Sequence, residues 1–153
     1  MKFETARFGA IEVKEDEILH FPEGLYGFEQ ERKFVLMPFD PNIESPMQWL
    51  QSLQTPGLTF VVTDPYLFIP DYQLTLTSEE KKLLQIDEEN NISSRVIVNI
   101  PKVHAEMTAN MVAPLVFNVG KKLAKQIVLT NIEYDTRRRL LPDLDSSQKQ
   151  ATN

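Results

Sequence analysis

The stretch FPEGLYGFE, Phe21 to Glu29, sets Gly24 and Gly27 three residues apart, a spacing that can turn backbone N–H groups toward a phosphate. A phosphate cradle also needs a nearby cation, usually Lys with Ser or Thr beside it. Here the neighbours are Glu23, Glu29 and Glu31, and the next cations, Arg32 and Lys33, follow that acidic trio. The charge is wrong for an anion. The pair reads instead as a turn that needs positive φ or a close backbone approach, clamped under Phe21, Leu25 and Phe28.

Other reactive constellations fare no better. His20 and His104 lie far apart in the chain, and neither has a second His or a Cys at helical or hairpin spacing, whereas zinc needs about three converging protein ligands. Cysteine is absent, so there is no thiolate nucleophile, no thiolate metal site and no disulfide, which fits a reducing compartment. No serine occupies a nucleophile elbow. The runs EDE (15–17) and DEE (87–89) read as solvated turns. No catalytic, metal or cofactor site is therefore expected.

Recognition is better represented. DPYLFIPDY (64–72) crowds Tyr66, Leu67, Phe68, Ile69 and Tyr72 between two prolines and two aspartates. Aromatics beside acids on a proline-stiffened loop suit a protein-binding patch; the bland alternative folds them back onto the core. The candidate partner-binding residues are Asp64, Tyr66, Phe68, Asp71 and Tyr72, with Asp87, Glu88 and Glu89 as an acidic turn. Trp49, the only tryptophan, is read as core, with Gln51 and Leu53 on its strand face. The basic run Arg137–Arg139 reads as a strand edge guarded by charge.

The elements that would hold these residues are short strands. KFETARF alternates with period two, and LTFVVT (58–63), YQLTL (72–76), RVIVNI (95–100) and QIVLTNI (126–132) are rich in β-branched residues. FVLMPF (34–39) is continuously apolar, but Pro38 forces an edge or a bulge. One helix is predicted over Ser78 to Gln85, with Thr77 as N-cap, Glu80 closing a capping box, and DEENN ending it. The fold class expected is all-β, mainly antiparallel: a small barrel or sandwich with one short helix, occupying residues 1–141 as a single domain. The tail 142–153, with Leu144 as its only sizeable apolar residue, is expected to fray.

Charge narrows the partner class. The chain carries 153 residues and a net charge of −6. Residues 1–50 hold 5 Lys and Arg against 10 Asp and Glu, 51–100 hold 3 against 7, and 101–153 hold 8 against 5. Two acidic thirds argue against direct nucleic-acid binding and favour a basic protein partner. No apolar run approaches a membrane span or a signal sequence, so a cytosolic location is expected.

Five segments together resemble one family. FPEGLYGFE, WLQSLQTPGLTFVV, DPYLFIPDY, TANMVAPLVFN and KQIVL follow in the order and spacing of the flagellar assembly factor family FliW, from about Phe3 to Leu140. Tyr26 and Ala124 depart from its pattern, standing where a proline and a glycine are expected. The resemblance implies a cytoplasmic, non-enzymatic, β-barrel-like protein with two partners: flagellin, held before export, and the RNA-binding translational repressor CsrA, whose grip on flagellin mRNA it relieves. It implies no cofactor, membrane or small-molecule substrate. It also makes Phe21, Pro22, Gly24, Gly27, Trp49, Pro56, Asn110 and Pro114 scaffold positions. The competing class is a carboxylate-dependent hydrolase or carbohydrate-handling enzyme, which would need two carboxyl groups roughly 5–10 Å apart in a deep cleft.

Overall fold

The computed structural model describes residues 1–87, 91–130 and 133–141. Glu88, Glu89 and the tail from 142 lie outside these residues. Eleven strands and one α-helix are described: β1 (Lys2–Thr5), β2 (Gly9–Glu12), β3 (Ile18–His20), β4 (Lys33–Asp40), β5 (Ile43–Ser52), β6 (Thr59–Thr63), α1 (Ser78–Leu83), β7 (Ile92–Asn99), β8 (Thr108–Ala109), β9 (Leu115–Asn118), β10 (Ala124–Gln126) and β11 (Arg138–Arg139). The main ladder runs β10-β9-β7-β6-β5-β4-β3, all antiparallel, with β8 and β11 added beside β7. The expected antiparallel β class with one short helix is what forms.

The ladder is open, yet its ends meet. His20 and Leu123 form a single parallel bridge, with the His20 N–H donating to the Lys122 carbonyl at 2.8 Å. One core cluster accordingly draws Leu19 from β3, Phe34 from β4, Leu50 from β5, Val62 from β6, Phe117 from β9 and Ala124 from β10. Residues from both ends of a ladder can share one interior only if the sheet curls round on itself.

Strand alternation sends the other face elsewhere. Val96 and Val98 of β7, with Val116 of β9, face a second cluster closed by Tyr72, Leu84, Met111, Ile127, Leu129 and Leu140. Both faces of β9 are covered, which explains its unbroken apolar run. A third, smaller cluster sets the β1–β2 hairpin over Val35 and Ile18.

The helix starts as its sequence dictates. Thr77 Oγ1 accepts from the Glu80 N–H at 3.1 Å, and Glu80 Oε1 accepts from the Thr77 N–H at 2.8 Å, both halves of a capping box. It ends earlier than DEENN suggests. Gln85 takes a left-handed φ of +53° and the Ile86 N–H returns to the Lys81 carbonyl at 2.9 Å, a six-to-one closure. Asn118 Nδ2 then donates to the Leu84 and Gln85 carbonyls at 2.9 and 3.0 Å, satisfying the helix end from β9.

Three strand expectations need correction. β1 stops at Thr5, and Ala6 to Phe8 turn into β2. YQLTL is not a strand: Tyr72 is buried, Leu74 and Leu76 are half-buried, and the residues between are exposed. The period-two signal is real, but it records alternate burial of a segment that pairs with no strand among the described residues. Of QIVLTNI, whose last two residues lie outside the described ones, only Gln126 belongs to β10; Ile127 and Leu129 instead bond the Pro114 and Val112 carbonyls at 2.9 and 2.7 Å. Pro38 acts as anticipated. The β4–β5 register shifts between Pro38 and Asp40, beyond the reach of β3, so the missing N–H breaks no ladder bond there.

Candidate functional site

The glycine motif forms two successive tight turns. The Gly24 N–H bonds the Phe21 carbonyl at 2.9 Å, closing a turn with Pro22 at its second position. Gly24 has φ +68°, and a Cβ there would lie 2.5 Å from the Glu29 carbonyl oxygen. Leu25 and Phe28 exchange backbone bonds, with Gly27 at φ +84° as a type II turn requires. Phe21 and Leu25 enter the core as expected, but Phe28 stays 41% exposed and meets Phe60 edge-on. The loop is tied to β10 by the Lys125–Glu23 ion pair, a contact that raises the Lys125 pKa, and by the Tyr26 N–H donating to Gln126 Oε1.

Other motif positions are also structural. Gln51, wholly buried, donates through Nε2 to the Ser52, Pro56 and Leu58 carbonyls and so holds the loop between β5 and β6. The Pro56 carbonyl also receives the Ala6 N–H at 2.8 Å. Asn110 Oδ1 accepts from the Val112 and Ala113 N–H groups, and the Pro114 carbonyl from Ile127.

Trp49 differs from its expected core role. It is half-buried and lies outside the three core clusters. Phe39 stacks on it at 4.7 Å, the Arg7 guanidinium sits 4.4 Å from its ring centroid, and its Nε1–H donates to the Phe39 carbonyl. Strand alternation gave the parity of Trp49, not whether its face would be covered.

The loop 64–72 is where the candidate site takes shape. Asp64 caps a 3-10 turn over Pro65–Leu67, its carboxylate accepting from the Tyr66 N–H at 3.0 Å. Buried Pro65 fixes the start of that turn. The turn throws Tyr66 and Leu67 outward, Leu67 to 59% exposure, while Phe68 and Ile69 pack against the second core cluster. Asp71 is exposed.

Tyr72 is not available to a partner. It is 3% exposed and its hydroxyl donates to the buried Met111 carbonyl at 2.6 Å, because the chain must re-enter the core there. Burial pushes its pKa well up, helped by Tyr134 and Tyr66. Tyr66 meets Tyr72 edge-on at 5.6 Å and is raised more modestly, first by burial and then by Asp64.

The structure brings to this loop a segment that sequence reading missed. The β4–β5 hairpin, Pro38 to Gln48, forms an open groove with Asp64, Leu67 and Arg95. Ile43 is 66% exposed, and Phe39 stands nearby on the same hairpin. Asp40, Glu44 and Asp64 supply carboxylates around these apolar groups. At its base Arg95 is held by Gln48 Oε1, Ser93 Oγ and the Ser94 carbonyl at 2.7, 3.2 and 2.7 Å, and burial lowers its pKa against the opposing pull of Asp64. A signal for this segment did exist: Phe39 and Ile43 flank the turn DPN, where apolar residues have no core to enter.

Asp64 and Tyr66 also line a neighbouring groove with Leu74, Leu76, Lys81 of α1 and Ser93 of β7. Asp87 is exposed past the helix end and is not among the residues lining that groove. Phe68 and Asp71 face a third concavity, with Tyr134 and Arg138. Arg138 and Arg139 form the short strand β11 against β8, in line with the charged-edge reading.

Among the described residues no group of His, Asp and Glu could hold a metal ion, and no helix is long and apolar enough to cross a membrane.

Residues 2–140 match the FliW protein family profile. A flagellar assembly factor FliW from Geobacillus sp. (strain WCH70) is 38% identical over 143 residues, spanning 94% of this chain and 97% of that protein. One from Alkaliphilus metalliredigens (strain QYMF) is 35% identical over 151 residues, 99% of this chain and 93% of its own. A crystal structure of the flagellar assembly factor FliW superposes with a TM-score of 0.85 at 39% identity, covering 93% of this chain and 98% of that one.

Proposed function

Because this chain belongs to the FliW family, we propose that it serves flagellar assembly by binding two proteins in the cytoplasm, without catalysing a reaction. One partner is flagellin, held before export. The other is a small basic RNA-binding repressor of the CsrA type. The observation that carries the reading is the surface where Leu67, Ile43 and Phe39 stand among Asp40, Glu44 and Asp64.

Apolar anchors inside an acidic rim suit a basic partner with an apolar contact of its own. The anchors supply affinity, and the carboxylates steer encounter and set register. A repressor that grips RNA through cationic surface would lose that grip in either of two ways. The acidic surface can cover the cations, or it can dock beside them and repel phosphates through the field it brings. Either way, flagellin that captures the protein returns the repressor to its RNA, and flagellin level controls flagellin translation.

The protein does not itself hold RNA in this scheme. Its basic run is partly committed, since Arg138 pairs in β11 and reaches the Phe68 carbonyl at 3.5 Å. The test is a gel-shift with flagellin leader RNA and the CsrA-type repressor. Adding this protein should release the RNA, flagellin should reverse the release, and this protein alone should shift nothing at physiological salt. RNA still bound at saturating protein would overturn the reading.

A further inference from the structure

A second groove lies across the same sheet, with the opposite charge. A row of paired residues, Trp49 on β5, Val61 on β6 and Val98 on β7, runs along its floor, in register strand to strand. Arg7, from the turn between β1 and β2, lines one part of it; Ile100, His104 and Met107 line another. Phe39 and Met47 belong to both grooves and form the ridge between them.

The charged and titratable residues lining this groove are Arg7 and His104, with no carboxylate among the described lining residues. That is unusual on a chain of net charge −6. The Arg7 guanidinium is exposed, lies over Trp49 and makes no hydrogen bond to a described residue. Its fork is thus oriented by the ring and left open to a carboxylate. Trp and Arg together, beside a ridge of Phe and Met, are the residue types that concentrate binding energy at interfaces.

We propose that this groove docks an apolar segment bearing carboxylates from a partner protein, and that this partner is the cargo of the two-partner reading, on which the assignment rests. Charge complementarity decides it. A basic repressor is repelled by Arg7 and drawn to Asp40, Glu44 and Asp64 across the ridge, whereas an acidic apolar segment meets the reverse. The shared ridge residues also give the two sites physical contact: a partner that displaces Phe39 or Met47 on one side alters the wall of the other.

The experiment measures binding of purified flagellin and of the CsrA-type repressor to the immobilised full chain, with three variants. Trp49→Ala should weaken flagellin binding at least tenfold, and repressor binding far less, only through the stack it removes from Phe39. Arg7→Glu, an exposed change that keeps the fold, should weaken flagellin binding and slow its association. Leu67→Ala should do the converse, weakening the repressor alone. Flagellin binding unchanged by Arg7→Glu but lost in Leu67→Ala would overturn the groove assignment while leaving the two-partner reading intact. Self-association by sedimentation velocity, abolished by Arg7→Glu, would also overturn it by giving the groove to a second copy. If the unaltered protein binds no flagellin at all, the two-partner reading fails and this assignment fails with it.

Discussion

The phenol of Tyr72 donates to the carbonyl of Met111 at 2.6 Å, and this bond fixes the end of the loop whose other end presents Leu67 to solvent. Anchor and display belong to one nine-residue segment. The rigidity of the displayed residues follows from the burial of Tyr72 and Pro65 at its two ends.

Tyr72→Phe should therefore cost about 1–3 kcal/mol of stability, since it leaves the Met111 carbonyl buried without that donor. Urea denaturation followed by tryptophan fluorescence would measure it. A neutral result would mean that the hydroxyl does not hold the loop.

The same phenol gives a pH dependence. Burial raises the Tyr72 pKa above its unfolded value near 10, so the fold favours the protonated form. Its contribution is fully present below pH ~10 and is lost as pH rises toward the folded pKa. Denaturation midpoints should fall above pH ~10, and they should fall less steeply in Tyr72→Phe. Parallel curves would contradict the assignment.

The glycine turn offers a contrast of two similar substitutions. Gly24→Ala combines positive φ with a Cβ only 2.5 Å from the Glu29 carbonyl oxygen, so it should cost more than about 2 kcal/mol. Gly27→Ala has positive φ but open space, and should cost about 1 kcal/mol. Equal losses in thermal or chemical denaturation would show that the close approach is relieved by movement of the Glu23–Glu29 loop.

The acidic rim should act on rate. Asp40→Asn, Glu44→Gln and Asp64→Asn combined keep size, and Asn at 64 keeps an acceptor for the Tyr66 N–H. The triple variant should associate more slowly with a basic partner and show a flatter salt dependence, with dissociation little altered. Stopped-flow mixing at several ionic strengths separates these outcomes. A faster dissociation at unchanged association would place the carboxylates inside the contact instead of around it.

Local chemistry was legible in the sequence where it depends on neighbours in the chain. Thr77 and Glu80 specify their capping box, Pro38 its bulge, and Gly24 and Gly27 their turns, because each requires only nearby backbone. Coverage was not legible. Alternation put Trp49 and Gln51 on one face of β5, but Gln51 is wholly buried while Trp49 is half-open, with Arg7 and Phe8 of the β1–β2 turn against its ring. Tyr72 and Tyr66 read alike, as aromatics beside aspartates, until the path of the chain buries one and displays the other. Ile43 and Leu67 line one groove from distant parts of the sequence, so the turn around Ile43 can show an apolar residue without a core but not that Leu67 joins it.

Binding of the basic repressor to this surface is tested by the dissociation rate of that complex for Leu67→Ala and Ile43→Ala. Both side chains are exposed, so both variants should fold with unchanged stability. Each should speed dissociation, by about tenfold or more if it anchors the contact. Unchanged dissociation in both, with the fold intact, would contradict the account and move the repressor to another face of the sheet.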